Sequence, residues 1–236
     1  MSRQPDKRAW DRSLIEGVLA NARLFRGCTH AQLQALASQC WCMGAERGHR
    51  LVDVGARIPG VFLVAYGQVK VSLLQVGGTE EKVVRLVQAG QDFGTACAVT
   101  GLQAPFEATT VEKCKLVIVP TAALFALIER DSRSAWQVVL TLSRRNLELL
   151  SDLRDATLRT GAQRLAAYLA ALPAEPAGEA SAVHLPATKT LVASHLDMKK
   201  ETLSRLLQSL TSRGVIRVDG AQITILDRES LSTLAQ

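Results

Sequence analysis

Three polar side chains recur about one helical turn apart near the carboxyl end of the chain: Glu201, Ser204 and Arg205. An arginine can donate two hydrogen bonds to the O6 and N7 atoms of guanine, and a glutamate can accept one from the cytosine amino group. Glu201 and Arg205 are four residues apart, so on a helix they would share a face and could read neighbouring base pairs. The same spacing also suits a salt bridge on a solvated helix. These residues therefore offer either base recognition in double-stranded DNA or a surface ion pair.

The neighbouring sequence predicts the elements that would present these side chains. A helix over 199–213 is predicted because four leucines recur at helical spacing on the side away from the polar residues: Leu203, Leu206, Leu207 and Leu210. A shorter helix is predicted over 190–196, with a turn at Asp197-Met198 between the two helices. Gly214 supplies the expected C-cap of the second helix. Two helices joined by a tight turn form a helix-turn-helix unit.

Two short strands are predicted after this unit, at 215–218 and 222–226, with a turn at Asp219-Gly220. A helix-turn-helix followed by a hairpin is a winged helix. Residues 187–217 carry six basic side chains against two acidic ones, an excess that suits a surface facing DNA phosphates. We expect phosphate contacts from five residues: Lys189, Lys199, Lys200, Thr202 and Arg213.

The bulk composition is compatible with such a protein and argues against several other classes. The 236 residues suit two modest domains, and a hydrophobic content of 47% is enough for packed cores. The net charge of +6 permits nucleic-acid binding without proving it. No run of about 18 uncharged apolar residues exists and the first twelve residues are polar, so we expect no membrane contact and a cytoplasmic location. Five cysteines without a signal peptide argue against a disulfide framework.

The first 120 residues begin with a helical pattern and continue with short apolar runs separated by glycines. Thr29 and Gln32 are spaced as a capping pair for a helix near the start. Between Gly44 and Pro120, runs rich in valine, leucine and isoleucine predict strands at 61–64, 69–74, 82–87 and 115–119, and Gly77-Gly78 fits a hairpin turn. Such short strands with glycine turns indicate a β-sandwich or barrel. The segment 173–181 is rich in turn formers and is predicted to be a loop.

A long helix is predicted between the barrel and the winged helix. Apolar residues recur there in steps of three and four from Ala135 to Thr160, which is typical of a coiled-coil seam. The predicted seam comprises Val139, Leu142, Asn146, Leu149, Leu153 and Ala156. Asn146 favours a dimer, because a polar seam residue can pair with its twin and fix the register. The alternative is a helix packed on its own barrel.

From about Leu24 to Leu234 the chain resembles the Crp/Fnr family of transcription regulators. The resemblance rests on Gly67-Gln-Val-Lys-Val and Ala89-Gly-Gln-Asp-Phe-Gly in the barrel, and more specifically on residues 191–216 followed by Ile223–Leu231. It implies an α+β fold with an N-terminal double-stranded β-helix (a β-roll like that of cyclic-nucleotide-binding domains), a long dimerisation helix and a C-terminal winged helix-turn-helix. The corresponding boundaries are 1–23 for an arm and the start of the first helix, 24–130 for an effector-sensing β-roll, 131–160 for the dimerisation helix and 161–236 for the DNA-binding domain.

The resemblance also implies how such a protein would work. Glu201-Thr-Leu-Ser204-Arg205 is similar to the E-x-x-S-R recognition pattern of the Fnr-like branch, which reads TTGAT-type half-sites in a palindrome. The C-terminal region looks most similar to the Dnr subgroup, which controls denitrification in response to nitric oxide. A homodimer, an effector site between barrel and long helix, and RNA polymerase as a partner are implied. Transcription activation is expected, and the residues leave repression open.

The residues at the expected effector site differ from those of cyclic-AMP-binding relatives, which hold the ribose with a glutamate after Phe-Gly and the phosphate with an arginine. Here Thr95 follows Phe93-Gly94, and Phe106 stands in the place of the arginine with Glu107 after it. A carboxylate near a phosphate would repel it, so these residues argue against cyclic AMP. Phe93, Thr95 and Phe106 are the candidate effector-pocket residues.

Other signals are less well defined by the sequence. The cysteines at 28, 40, 42, 97 and 114 contain no C-x-x-C and do not match an iron–sulfur ligand set. Cys40-Trp41-Cys42 is predicted at the end of an apolar helix, where packing or a thiol switch would explain it. Sensing of nitric oxide by a bound haem stays open. The residues do not identify an axial ligand, since His49 is the only histidine of the barrel. A small organic effector, or control by abundance alone, also stays open.

Two functions from other classes were compared with DNA binding. A metal-dependent enzyme on a barrel needs two or three histidines and a carboxylate that converge inside it, and one histidine does not provide such a site, so neither a metal nor an enzyme is expected. A ligand-binding module that does not contact DNA would leave the basic helix and its wing without a role.

Overall fold

The computed structural model describes residues 11–74, 81–177 and 180–235 and divides the chain into two compact units, Met1–Leu147 and Glu148–Gln236. The polar arm predicted over residues 1–12 lies outside the described residues up to residue 10, and so does the hairpin turn predicted at Gly77-Gly78. The boundary between the units falls inside the long helix. The finer domain boundaries given above stay a prediction.

The first unit begins with two short helices whose ends are defined by side-chain caps. Helix α1 spans Arg12–Asn21, and Asp11 accepts a hydrogen bond from the amide of Ser13. Helix α2 spans His30–Ala37, and Thr29 and Gln32 form the predicted capping box. A 3₁₀ turn at Arg23–Phe25 joins them.

Within the described ranges of this unit, eight strands form two antiparallel four-stranded sheets. They are β1 (Trp41–Ala45), β2 (Arg50–Val52), β3 (Gly60–Tyr66), β4 (Val69–Leu74), β5 (Glu81–Val87), β6 (Asp92–Phe93), β7 (Glu107–Thr110) and β8 (Cys114–Pro120). One sheet has the order β1-β8-β3-β6 and the other β2-β7-β4-β5. The four strands predicted from apolar runs are confirmed. The two- and three-residue strands have too little pattern to be recognised.

Strand β3 is buried on both faces, which explains its unbroken apolar sequence. Val61 and Leu63 pack into a cluster with residues of α1 and α2, whereas Phe62 and Val64 pack into a second cluster between the two sheets. A strand covered on both sides does not alternate between apolar and polar residues. Only glycine fits at position 60, because a Cβ there would lie 1.9 Å from the carbonyl oxygen of Val119.

The prediction that Cys40-Trp41-Cys42 ends an apolar helix is wrong. Helix α2 ends at Ala37, and Trp41 and Cys42 belong to β1, where they pair with Ile118 and Val117 of β8. The strand has one side towards the helices, so Cys42 is buried there and Trp41 is partly exposed. Three residues are too few to distinguish helical from strand periodicity.

The described residues that follow β6 also form α3 (Thr95–Thr100), α4 (Thr121–Arg130) and α5 (Ser132–Leu158), and α5 continues into the second unit. Asp131 accepts hydrogen bonds from the amides of Arg133 and Ser134 and so caps α5. The seam was predicted to continue to Thr160, but α5 ends at Leu158 and Thr160 instead caps the next helix with Gln163. Among the described residues no helix is long and apolar enough to cross a membrane.

The described residues of the second unit after α5 form four helices and a small antiparallel sheet. The elements in chain order are α6 (Gly161–Ala171), β9 (Ala174–Ala177), β10 (Ala180–His184), α7 (Lys189–His195), α8 (Lys200–Ser212), β11 (Ile216–Asp219), β12 (Gln222–Ile225) and α9 (Arg228–Leu234). The sheet order is β11-β12-β10-β9. The predicted α+β class, with a β-roll, a long helix and a winged helix-turn-helix, is confirmed.

The loop predicted over 173–181 is instead largely the β9–β10 hairpin. Ser181 of β10 pairs with Pro176 of β9, and β10 continues onto β12. Pro176 is tolerated because β9 is the edge strand, where a residue without an amide proton need not interrupt a ladder. The turn-forming residues of this segment predict a loop, but pairing of β10 with the distant strand β12 makes the segment a hairpin.

Candidate nucleic-acid interface

Helices α7 and α8 are joined at a defined angle by a tight, hydrogen-bonded turn. The amide of Met198 donates to the carbonyl of Ala193 at 3.0 Å, and the amide of Asp197 donates to that of Ser194 at 3.2 Å. This pair of bonds is a Schellman motif, which needs a left-handed residue at its centre. Asp197 has that conformation, with φ of 56°. The turn predicted at Asp197-Met198 is therefore confirmed.

Helix α8 turns its leucines into the core and its polar side to solvent. Leu203, Leu207 and Leu210 are buried in the core of the second unit. Glu201, Ser204 and Arg205 are exposed, and within the described part of the chain no hydrogen bond or ion pair engages their side chains. The surface salt bridge that the sequence offered as an alternative is not formed. These side chains keep their hydrogen-bonding capacity for another molecule.

The amino-terminal end of α8 combines basic side chains with uncapped amides. Lys199 is the N-cap residue and gives no side-chain hydrogen bond to the helix, and Lys200 follows it. Both lysines are exposed. Amides at the start of a helix bind anions, and two adjacent ammonium groups strengthen that preference.

The other predicted phosphate contacts differ in position and exposure. Arg213 is the exposed C-cap of α8. Lys189, the first residue of α7, and Thr202 are half-buried. Whether each reaches a phosphate stays a prediction.

The wing is a two-residue hairpin between β11 and β12. The turn comprises Gly220 and Ala221 rather than the predicted Asp219-Gly220, because Asp219 still pairs with Gln222. Gly220 has φ of +59°, as such hairpin turns require. Arg217 on β11 is exposed.

Arg164 on α6 is a structural residue that the sequence reasoning did not identify. Its guanidinium donates to the carbonyls of Leu196, at 2.8 Å, and Asp197, at 3.2 Å, in the turn between α7 and α8. A third hydrogen bond of 2.7 Å reaches the carbonyl of Arg159. The only signal in the sequence is one basic residue among the mostly apolar residues of that helix.

Most of the predicted seam on α5 is exposed in the single chain. Val139 is 48% exposed, Leu149 45% and Leu153 59%, and Asn146 is also exposed. Leu142 and Ala156 are half-buried. The residues of α5 that are buried are Ser134 and Val138, and Leu142, one turn after Val138, packs against the same core cluster of the first unit. An apolar row of this length in water is typical of a surface that a partner covers.

The candidate effector residues are embedded in the β-roll core. Phe93 stacks on Phe62 with ring centroids 4.8 Å apart, and Phe106 packs against the same cluster. Thr95 is buried, and its hydroxyl donates to Asp92 at 2.5 Å. A shallow cavity of about 400 Å³ lies elsewhere in the unit, against Trp136, and none of the three candidates lines it.

Glu107 occupies the position next to Phe106 as one partner of a salt bridge. Its carboxylate accepts from Arg50 Nε at 3.1 Å and from the hydroxyl of Thr109 at 2.9 Å, and the residue is only 8% exposed. Arg50 also pairs with Asp53 at 3.1 Å, so its guanidinium is engaged by two carboxylates.

All five cysteines are free thiols, and burial raises the pKa of each. The effect is largest at Cys40, where burial and the neighbouring Cys42 raise the pKa to about 12, while burial raises that of Cys42 to about 11. Reactive cysteines have a lowered thiol pKa, so these two residues have the character of packing residues. Within the described ranges no group of three or more histidine, cysteine or acidic side chains could hold a metal ion.

Alkylation should therefore be slow in the native protein. At pH 8 a thiol of pKa about 12 has about a thousandfold less thiolate than one of pKa 9, so iodoacetamide should label Cys40 far more slowly than in urea. Mass spectrometry of timed samples measures both rates. Native labelling at the urea rate would restore the thiol-switch hypothesis.

Comparisons with known proteins cover both compact units. The family model of the cyclic nucleotide-binding domain matches residues 42–131, and that of the Crp-like helix-turn-helix domain matches residues 163–234. A CRP-like cAMP-activated global transcriptional regulator of Mycobacterium tuberculosis is 24% identical over 225 residues, which are 94% of this chain and all of that protein. The structure of DNR from Pseudomonas aeruginosa matches with a TM-score of 0.51 and 26% identity, over 96% of this chain and all of that one. A mutant of CooA from Carboxydothermus hydrogenoformans shares the fold, with a TM-score of 0.76 at 16% identity over 98% of this chain and 99% of that one.

Proposed function

The chain belongs to the Crp/Fnr family, whose members are transcription regulators rather than enzymes, and we propose that it reads a palindromic DNA site as a homodimer. The observation that carries the proposal is the face of α8 with Glu201, Ser204 and Arg205, which is exposed and unengaged on a helix anchored in the core. In a helix-turn-helix protein this second helix lies in the major groove.

The half-site that these residues suit is TTGAT. Their order and spacing are similar to the E-x-x-S-R pattern of the Fnr-like branch, and the likeness to DNR supports the same assignment. In this proposal Arg205 pairs with guanine, and Glu201 accepts from a cytosine on the opposite strand. Ser204 adds a hydroxyl that can donate or accept.

Phosphate contacts position the helix and are tested separately from base contacts. Replacement Lys200→Ala should weaken binding to a TTGAT palindrome and to a scrambled duplex by the same factor. The slope of log affinity against log salt concentration should fall by about 0.9 for each phosphate that the protein no longer neutralises. Lys113→Ala is the control, since that lysine lies in the other unit and pairs with Glu46. An unchanged slope would remove Lys200 from the set.

Homodimerisation follows from the exposed apolar row on α5. Val139, Leu149 and Leu153 recur at coiled-coil spacing, and a second copy of the same helix is the partner that this spacing fits. Asn146 would face its twin in the seam. A two-fold dimer presents its two recognition helices to a site with matching two-fold symmetry.

The effector proposed here is not a cyclic nucleotide, although the Mycobacterium tuberculosis relative and others are named for cyclic AMP. Phe106 cannot bind a cyclic phosphate, and Arg50 is already paired with Glu107. Phe62, Phe93 and Phe106 instead bring three aromatic rings to the candidate effector region, which suits an apolar or aromatic small molecule. Haem with nitric oxide is the second candidate, favoured only by the likeness to DNR. RNA polymerase as a partner and action in the cytoplasm belong to the same proposal.

The decisive experiment measures binding of the purified protein to a TTGAT-N4-ATCAA duplex and to a scrambled duplex by fluorescence anisotropy. It is done alone, with cyclic AMP, and with haem and nitric oxide without oxygen. Specific binding that cyclic AMP leaves unchanged supports the proposal, and a requirement for haem and nitric oxide would select that effector. Equal affinity for both duplexes under every condition would contradict the proposed half-site.

A further inference from the structure

The guanidinium of Arg164 makes hydrogen bonds to three backbone carbonyls from two different parts of the second unit. Two acceptors, Leu196 and Asp197, form the turn before the recognition helix α8, and the third, Arg159, immediately follows α5. The three donors are Nε and both terminal nitrogens, so all three nitrogens of the group are used. Planar guanidinium geometry fixes the directions of these donors relative to one another.

The turn between α7 and α8 needs hydrogen bonds from a side chain, because its own backbone bonds do not engage all of its carbonyls. The last carbonyls of a helix have no partner within that helix, and the carbonyl of Leu196 is at the end of α7. Asp197 is the only described residue other than glycine with a positive φ, a conformation that a side chain disfavours. A cationic donor at a helix carboxyl terminus satisfies the carbonyls and complements the helix dipole.

The third acceptor is itself held in place. The side chain of Arg159 pairs with Asp155, one turn earlier on α5, at 3.2 Å, and the Arg159 amide donates to the Asp155 carbonyl. These two contacts hold the Arg159 carbonyl in place relative to the last turn of α5. Arg164 thus connects the end of the proposed dimerisation helix to the turn that aims the recognition helix.

We propose that Arg164 is a positioning residue that sets the direction of α8 relative to the end of α5 and thereby the spacing of the two recognition helices in the dimer. The inference rests on the proposed function, because spacing matters only to a dimer on a palindrome. Base recognition within one half-site does not depend on this contact. Spacer preference does.

The test compares wild type with Arg164→Lys, which keeps the charge but cannot donate to three carbonyls in one plane. Binding is measured on TTGAT palindromes with spacers of four, five and six base pairs, and on a single half-site duplex against a scrambled one. The variant should lose at least tenfold in affinity for the four-base-pair spacer and most of the preference among spacers. Its preference for the single half-site should stay within twofold of wild type.

The control is Arg228→Lys, the same substitution at an exposed arginine of α9 in the same unit that makes none of these contacts. It should keep the spacer preference of wild type. An Arg164→Lys protein with unchanged spacer preference would overturn the inference. Loss of half-site preference in parallel would also overturn it, since that result indicates general damage to the domain.

A second measurement does not depend on the DNA sequence. Of the two methionines in the described residues, Met198 lies in the turn and Met43 lies in β1 of the other unit. In methyl NMR spectra, Arg164→Lys should shift or broaden the Met198 signal and leave that of Met43 unchanged. An unchanged Met198 signal would contradict the inference, whether or not the proposed half-site is right. If the wild-type protein bound no TTGAT duplex specifically, that result would contradict the half-site alone.

Discussion

Arg205→Ala should abolish the preference for a TTGAT palindrome while the protein keeps binding DNA weakly. A bidentate arginine–guanine contact is worth about 1–3 kcal/mol, or about fivefold to more than a hundredfold in affinity at each half-site. The side chain is exposed and unengaged by the described residues, so its removal should cost little stability. The effect should therefore appear as reduced discrimination rather than as unfolding.

The measurement is anisotropy with wild-type and singly substituted duplexes in which each base pair of the half-site is changed in turn. Wild type should discriminate at the guanine position and the variant should not. Arg228→Ala provides the control, since it removes an exposed arginine from α9 of the same unit. Discrimination at the guanine position that survives in Arg205→Ala would assign base reading to another residue.

Leu149→Asp should convert the protein into monomers and, as a consequence, abolish palindrome binding. Leu149 is in the middle of the predicted seam and 45% exposed in one chain. In a dimer it would be covered, so the substitution would bury a carboxylate next to its twin. An uncompensated buried charge costs about 3–5 kcal/mol, which is a hundredfold or more in dimer affinity.

Sedimentation velocity over a range of concentrations distinguishes one chain from two. Leu102→Asp is the matched control, because Leu102 is an exposed leucine outside the helix, at 68% exposure. The control should sediment as wild type does. A Leu149→Asp protein that still sediments as a dimer and binds the palindrome would place the subunit contact away from the seam.

Much of the winged helix could be predicted because its signals are local. The leucines at 203, 207 and 210 define which side of α8 is buried, and Gly214 ends the region with φ of +72°. The turn at Asp197 was also readable, since aspartate tolerates the left-handed conformation better than most residues do. Each of these features depends on residues close in sequence.

The features that the sequence did not predict depend on contacts between distant residues. The β9–β10 hairpin is stabilised by pairing with β12, some forty residues away, and its own composition favours a loop. The role of Arg164 depends on carbonyls 32 and 33 residues further on. The pairing of Glu107 with Arg50 likewise required the β2–β7 contact.

Because β3 is buried on both faces, hydrogen exchange of its amides should report the free energy of unfolding of the first unit. Residues Gly60–Val64 are all buried, and the strand lies between β8 and β6, so its amide protons should exchange with solvent only when the unit opens as a whole. A molecule that binds the native unit slows such exchange by an amount set by its concentration and dissociation constant. The deuterium uptake of one short peptide from β3 could therefore rank unknown effectors without any assumption about where they bind.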